Sequence, residues 1–525
     1  MKILSKVLLG SRGGGKEKLP ENRKDEEKTM RTAKTKGARE VVDGAKSLGA
    51  EGVMAGRAGA EGVYGYTSTA RSLSRVVVVA LVLAAGLFLP QPVLAGNAVT
   101  RWMDLALRSV AAQNVGTPNA GRLYAMVTMA MYDAINGINT ANRHGRQHAL
   151  VPPLGAPVGG ARRVAAAAAA HTVLVNPQVG LSAARKAELD AALNAGITAA
   201  GGLDNQGVVD GRDWGVSVGQ QVVSQRATDG TQSAETIPAG SECGVFRASW
   251  DARWRNMTAF GVDDLTQFPE SPAPPALTNS EYTEAFNDVK TCGSDSPILD
   301  LMCADPTTPA ERAEISSFWQ AESGTVRETG IWFLALAQIV EQEDTVASLS
   351  RTARLFALVG MAIADAVRSS WRTKHAYNTW RPFHVIREAS RDDLLCDGNP
   401  NTIGDAFWQP RIFPSIGGTP EWDSGLSTFA GAASSVIMGF YGNKYRISPF
   451  CFDTFQAGPS EATMANAFGP PTTSAPRCYD TASQGRDEAG RSRIFQGIHF
   501  QFSNQNGLEN GEAIGAYIER NRLRR

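Results

Sequence analysis

The sequence predicts an all-α protein. Three observations lead there: apolar residues recur every three or four positions through long stretches after residue 96, Ser and Gly residues punctuate the ends of those stretches, and no alternating run is long enough for a sheet. The 525 residues exceed what one hydrophobic core usually needs, so one large or two fused helical parts are expected, divided here as residues 96–312 and 313–525. Lys plus Arg number 52 and Asp plus Glu number 52. That balance removes net charge as a reason to expect a nucleic-acid or anionic-membrane partner.

The beginning of the chain differs in kind. Residues 1–53 are rich in Gly, Lys, Arg and Glu without one aromatic residue, too polar to offset the entropy of ordering. An N-terminal extension over residues 1–75 is therefore expected to be disordered. Arg71 and Arg75 then precede an apolar run, residues 76–89, ended by Pro90. It is short for a bilayer about 30 Å thick but suits the core of a secretory leader. Val93-Leu94-Ala95 offers small residues for cleavage before Gly96. Export to the periplasm or medium is the expectation, an uncut membrane anchor over residues 76–95 the alternative, and Met54 a possible downstream start. The six cysteines contain no C-x-x-C pair; in an oxidising compartment they suggest disulfides, with Cys292–Cys303 and Cys451–Cys478 as expected local bridges.

Helices are read at residues 102–107 and 123–138, the latter with Gly137 near its end, at 162–175, and from Ser182 to residue 193. From about 228 to 309 the period fades into Gly, Pro, Ser, Asp and Cys, a long irregular connection. Helices resume at 316–319 and 331–341, then from a Ser350 cap to residue 372. A second irregular stretch, 392–421, precedes a small-residue helix over 424–441, and the last helix covers 508–520. No internal sequence repeat is seen.

Three segments carry chemistry. In Lys374-His375-Ala376-Tyr377-Asn378-Thr379-Trp380-Arg381-Pro382, two cations seven residues apart lie on one face of a continuing helix, roughly 10 Å apart in height. In Pro420-Glu421-Trp422-Asp423-Ser424-Gly425-Leu426-Ser427, a Ser-Gly pair opens a helix and presents unpaired N–H groups and a hydroxyl at its positive end. In Ser492-Arg493-Ile494-Phe495-Gln496-Gly497-Ile498-His499, a guanidinium fork suited to tetrahedral oxyanions precedes a neutral imidazole. Together they predict a buried oxyanion pocket. His144 and His148 have the spacing of a metal pair, but Gly145 between them and the absence of a neighbouring Glu or Cys argue against zinc.

The order Lys-x6-Arg-Pro, Ser-Gly, Ser-Arg-x5-His resembles the vanadium-dependent haloperoxidases and the related type 2 phosphatidic-acid phosphatase superfamily, and is most similar to the bacterial haloperoxidase-like branch. The likeness extends to residues 122–136, with Met131-Tyr132-Asp133-Ala134-Ile135-Asn136, to Phe318-Trp319 and to Gly330-Ile331-Trp332, so that it spans about 98–525. It implies helical bundles of the haloperoxidase and acid phosphatase type, with vanadate as cofactor and phosphate fitting the same site. Lys374, Arg381, Ser424, Gly425, Arg493 and His499 would hold it, with His499 as the axial vanadium ligand, His499 and Lys374 as the catalytic residues and Trp371 beside the halide. Hydrogen peroxide, halide and a small organic molecule would be the substrates. Two departures stand out. The family's Pro-Ser-Gly-His is Asp423-Ser424-Gly425-Leu426 here, so the motif histidine is lost, and Thr419 stands where a halide-pocket aromatic is expected. Alternatives therefore stay open: an exported acid phosphatase using a phosphohistidine, or a non-catalytic anion-binding relative.

Overall fold

After residue 96 the three-to-four-residue apolar spacing folds as helix, and several of the helices begin where a short polar side chain caps them. α1 (Ala98–Ala112) starts at Asn97, whose side chain accepts from the Val99 N–H. α2 (Thr117–Ala141) begins earlier than its apolar pattern, with Pro118 in its first turn. α3 (Arg162–Leu174) is followed by α4 (Ala183–Ala199), capped by Ser182, and α5 (Gln206–Arg226), capped by Asn205. The spacing argument misses α5 because glycines dilute its apolar face. Their reason is close packing: a Cβ on Gly211, Gly215 or Gly219 would lie 2.6, 2.2 or 2.8 Å from the carbonyl oxygen of Ala161, Ala165 or Ala169. The alanine-rich α3 thus lies against a seam with no side chains.

The irregular stretch from 228 to 309 holds more structure than its composition suggests. A two-stranded antiparallel ribbon pairs β1 (Thr236–Ile237) with β2 (Trp250–Asp251). α6 (Ser280–Cys292) and α7 (Pro297–Leu301) follow. In α6 the buried Tyr282, Ala285, Phe286 and Val289 keep helical spacing, which the flanking Pro and Gly residues obscure. α8 (Pro309–Gln320) and α9 (Glu328–Gln342) lead to α10 (Leu349–Tyr377), capped by Ser348 rather than Ser350. α11 (Pro382–Glu388), α12 (Gly425–Phe440), a second ribbon of β3 (Phe450–Phe452) and β4 (Arg477–Tyr479), α13 (Ala482–Phe495) and α14 (Gln501–Asn521) complete the order. α13 starts with a Thr481/Gln484 capping box. The two ribbons are the only sheets among the described residues, and the fold is all-α.

This is a computed structural model. It describes residues 97–263, 267–268, 270–388, 396–441, 450–452 and 476–525; the expected extension and leader lie outside them. No described helix is long and apolar enough to cross a membrane.

Two long helices organise the core. α2 and α10 pack against each other, and each uses one buried aspartate to pin a loop. Asp133 accepts the N–H groups of Ala149, Leu150 and Val151 at 2.6, 2.7 and 2.8 Å; Asp365 accepts those of Phe260, Gly261 and Val262 at 2.7, 2.7 and 2.8 Å. α12 and α14 repeat the close seam of α3 and α5. A Cβ on Gly507, Gly511 or Gly515 would lie 2.7, 2.1 or 2.3 Å from the carbonyl oxygen of Ser424, Thr428 or Ala432. The helix that begins at the Ser-Gly pair is therefore seated on the last helix by backbone contact.

The disulfides are Cys243–Cys396, Cys292–Cys303 and Cys451–Cys478. The first joins residues 153 apart. Beside it the Trp380 N–H donates to Gly244 O (2.9 Å) and the Phe246 N–H to Asn378 O (2.8 Å), so this bridge ties down the segment that carries Arg381. Removing it as Cys243→Ser with Cys396→Ser is expected to cost about 2–5 kcal/mol through the freed unfolded chain. Urea unfolding of the oxidised proteins measures this, and an unchanged midpoint would refute it.

Candidate functional site

Lys374 sits in the last turn of α10, 1% exposed. Its Nζ donates to the carbonyl oxygens of Pro420 (2.6 Å), Asp423 (2.5 Å) and Glu421 (3.3 Å). α10 does not continue to Arg381. Asn378 takes a left-handed conformation (φ 44°), closes the helix and donates its N–H to Lys374 O at 2.9 Å. The expected shared helix face is thus replaced by a loop. That loop nevertheless brings Arg381 to the same place.

Arg381 is 3% exposed. Its Nε donates to Thr419 O (2.7 Å), its Nη1 to Ile498 O (2.7 Å) and to His499 Nε2 (2.9 Å), and its Nη2 to Thr419 Oγ1 (3.3 Å). The guanidinium lies against Gly417, at φ 87°, where a Cβ would sit 2.4 Å from Arg381 Cζ. Only a glycine both adopts that backbone and leaves the room.

His499 lies between α13 and α14 and is 2% exposed. Its Nδ1 is 2.9 Å from Glu421 Oε1, which also accepts the Phe500 N–H at 3.0 Å. Because the Arg381 guanidinium can only donate, Nε2 accepts from it, and the neutral ring carries its proton on Nδ1, toward Glu421 Oε1. Ser503 donates to Glu421 O at 3.2 Å. Burial, followed by the charges of Arg381, Lys374 and Arg493, holds His499 well below the usual histidine range. It is neutral at pH 7.

Arg493, in the last turn of α13, is 8% exposed and makes a single long contact, Nη1 to Trp319 O at 3.5 Å. Its Nε is buried with no hydrogen-bond partner. Arg493 and Arg381 raise the cost of charging their neighbours. Lys374 is pushed down to about 7, by burial first and Arg381 second, and Arg381 to about 9, by burial with Arg493 acting in the same direction. Glu421 is pushed up to about 7 by burial. Glu328, also raised by burial, faces Arg493.

Lys374, Arg381, Arg493 and His499 are thus brought into one buried electrostatic cluster. Ser424 and Gly425 adjoin it through the start of α12. The Ser424 hydroxyl caps that helix at the Ser427 N–H (3.4 Å) and accepts from Ser427 Oγ (2.7 Å). Leu426 is buried beside them. Trp371 is not joined to the cluster by any hydrogen bond: its indole N–H donates to Asp251 O at 3.1 Å. His144 and His148 are exposed outside the helices. Glu421, Gly417 and Ser503 were missed in the sequence. Glu421 carried a signal, an acid three residues before the Ser-Gly pair in a segment otherwise rich in partners for cations.

The set fits an oxyanion with an electrophilic centre: an unpartnered buried Nε on Arg493 and three buried cations suit its oxygens, and the His499 Nε2 lone pair, which here accepts from Arg381 Nη1, suits its central atom. Lys374 fits differently. Its protons already go to carbonyl groups, so it acts as a fixed charge.

Residues 354–523 match the VCPO second helical-bundle domain, the region that carries all of these cations. The vanadium chloroperoxidase of Curvularia inaequalis is 33% identical over 100 residues, 18% of this chain and 15% of that protein. Over this C-terminal region the chain is similar to the vanadium haloperoxidases. Solved structures show the same fold. A bacterial vanadium-dependent iodoperoxidase superposes with a TM-score of 0.61 at 20% identity, over 80% of this chain and 95% of that one. The apo form of a bacterial vanadium-dependent chloroperoxidase gives 0.55 at 13% identity, over 78% and 93%.

The neutral state of His499 sets a pH dependence. Its folded pKa lies below its unfolded value near 6.5, so its contribution to stability is present above pH 6.5. That contribution is lost as pH falls and the unfolded chain takes a proton the folded one refuses. Between pH 6.5 and 5, wild type should lose up to about 1.4 kcal/mol per pH unit more than His499→Gln. Denaturant unfolding of both proteins across that range measures the difference, and parallel curves would refute it.

Proposed function

We propose that this chain is a vanadate-dependent, haloperoxidase-like enzyme that oxidises halide with hydrogen peroxide and delivers the oxidised halogen to a small organic molecule. The observation that carries this reading is His499, a neutral imidazole whose Nδ1 is held by Glu421 at 2.9 Å and whose Nε2 faces Arg381 at 2.9 Å, inside a cluster of buried cations. When bound, vanadate supplies the Lewis-acidic centre on which peroxide is activated.

The chain's own residues do the rest. His499 offers Nε2 as ligand because Glu421 fixes the other nitrogen as the proton carrier. Arg381 and Arg493 hold oxyanion oxygens with planar forks. The start of α12, through Ser424 and the Gly425 N–H, adds the positive end of a helix. Lys374 adds charge from a position that three carbonyl oxygens fix, and burial excludes water, which strengthens each of these terms. Trp371 is proposed as the aromatic wall toward the halide. At position 426 leucine can neither donate nor accept a proton.

A second reading draws on the same Glu421–His499 pair. An imidazole oriented by a carboxylate is also suited to attack phosphorus, as in an acid phosphatase. That chemistry needs a proton for the leaving group, and a placed acid contributes roughly two to four decades of rate. Leu426 therefore counts more heavily against hydrolysis than against halide oxidation. We also propose that the protein is exported, on the support of three disulfides and the leader-like residues 76–95.

Vanadate binding followed by ⁵¹V NMR should give one bound vanadate per chain, with peroxide-dependent bromination of a phenol dye. Leu426→His should raise that rate about a hundredfold, the low end for a placed acid. Bound vanadate without bromination in either protein would reject the enzyme reading. Aryl phosphate hydrolysis by vanadate-free protein would favour the phosphatase. Glu421→Gln leaves the cations in place but loosens His499, and should weaken vanadate binding about 10–100-fold; unchanged affinity would remove Glu421 from its positioning role.

A further inference from the structure

A second cationic site lies on the other side of α10. Lys374 and Ser370 point into the bundle, toward the carbonyl groups of residues 420–423 and toward Asp423 Oδ1 (2.7 Å). Arg368, Arg372 and His375 stand at i, i+4 and i+7 and share a different face. That face closes one wall of a cleft of about 340 Å³; the 3₁₀ turn Arg253–Asn256 and Glu270 supply the opposite wall.

The hydrogen-bond donors in this cleft are not all met locally. Arg255 is taken by Glu235, with Nη2 at 2.6 Å from Oε1 and Nε at 3.0 Å from Oε2. Arg372 is taken by Glu270, with Nη2 and Nε at 2.7 and 3.1 Å from Oε1. Arg368 has no such partner. It is 5% exposed, its Nε is buried without a hydrogen bond, and it forms no ion pair among the described residues. The nearest acid on its own helix, Asp365, gives both oxygens to the three N–H groups of residues 260–262. Asp365 therefore attracts Arg368 without satisfying its donors. Arg368 thus lines a cleft shared with two paired guanidinium groups, an imidazole and the Glu270 carboxylate, and a buried guanidinium without a hydrogen bond of its own is costly unless an acceptor in the cleft completes it.

We propose that this cleft is a binding site for a small oxyanion, either a free phosphate-like ion or the anionic end of a small organic molecule, with Arg368 as its floor and Arg255, Arg372, His375 and Asn256 at its rim. The volume is at the low end for small-molecule sites and exceeds what an inorganic ion fills, which leaves room for an organic group. The site is separate from the one around His499, because Lys374 and Arg368 leave α10 in different directions.

Isothermal titration with inorganic phosphate tests this on the whole protein. Wild type is expected to bind two phosphates per chain. Arg493→Met should retain the cleft phosphate, whatever becomes of the His499 site. Arg368→Met should lose the cleft phosphate or weaken it at least about tenfold, as for one charge-assisted bond, and keep the other. Arg255→Gln, at the rim, gives a second reading if Arg368→Met does not fold. Repeating the titrations with phenyl phosphate identifies the source: tighter binding than inorganic phosphate marks an organic anion, equal or weaker binding marks the free ion. The proposal is overturned if wild type has no phosphate site that survives Arg493→Met, or if both cleft substitutions leave that site unchanged. Loss of binding only in Arg493→Met would reject the cleft while leaving the His499 site standing.

Discussion

The constraint on which the rest of the C-terminal half depends is the burial of three cations and one neutral imidazole in the same place. Like charges in a low-dielectric interior repel strongly, and taking each out of water has its own cost. The fold offsets this with fixed dipoles rather than with carboxylates alone. Lys374 is surrounded by carbonyl oxygens from residues 420, 421 and 423, and Arg381 by those of Thr419 and Ile498. These acceptors come from backbone that cannot move away, because one segment runs into α12 and the other into α14, and those two helices meet through the Gly507, Gly511 and Gly515 seam. Arg493 is the member left with an unmet donor. That asymmetry leaves the cluster one buried donor that an oxyanion could satisfy.

The chain builds this scaffold twice and charges it once. Asp133 in α2 and Asp365 in α10 each collect three consecutive backbone N–H groups from a distant loop. α3 against α5 and α12 against α14 each close on glycines four residues apart. Lys374 follows Asp365 by nine residues; nine residues after Asp133 stands Asn142, an exposed cap at the end of α2. The N-terminal helices therefore share the packing devices of the C-terminal ones but not the cationic cluster, which makes their contribution one of support.

How much of this could be read from the residues depended on the kind of signal. Periodicity located most long helices, and composition marked the helix from Ser424 as one of small residues. It failed at α5, where glycines needed for approach erase the apolar stripe, and at α6, whose four buried positions are hidden between Pro and Gly. The parallel between the two halves escaped because it resides in glycine spacing and in two aspartates rather than in similar sequence. At the site, the cations and His499 were legible because their types and order are unusual. Their geometry was not: the expectation of Lys374 and Arg381 on one helix ignored the stop at Asn378, which only the left-handed backbone reveals. Glu421 was visible as a letter and invisible as a partner, since its contact with His499 joins residues 78 apart.

Glu421 also changes what the lost motif histidine means. A site with an imidazole at position 426 would have two titratable nitrogen bases near the anion. With Leu426, His499 is the only imidazole in the cluster, and burial together with three cations keeps it uncharged. The titratable groups left beside it are the Glu421 carboxyl, raised by burial, and the Lys374 ammonium, lowered by burial and by Arg381. Of the two, the Lys374 ammonium is the one whose charged form carries a proton to give. The ammonium, however, is held on carbonyl oxygens, so it can release that proton to an anion only by giving up those contacts. With leucine at 426, any acid–base step that the proposed reaction needs falls to a residue whose hydrogen bonds oppose it, and the cluster is better suited to hold an anion than to move a proton.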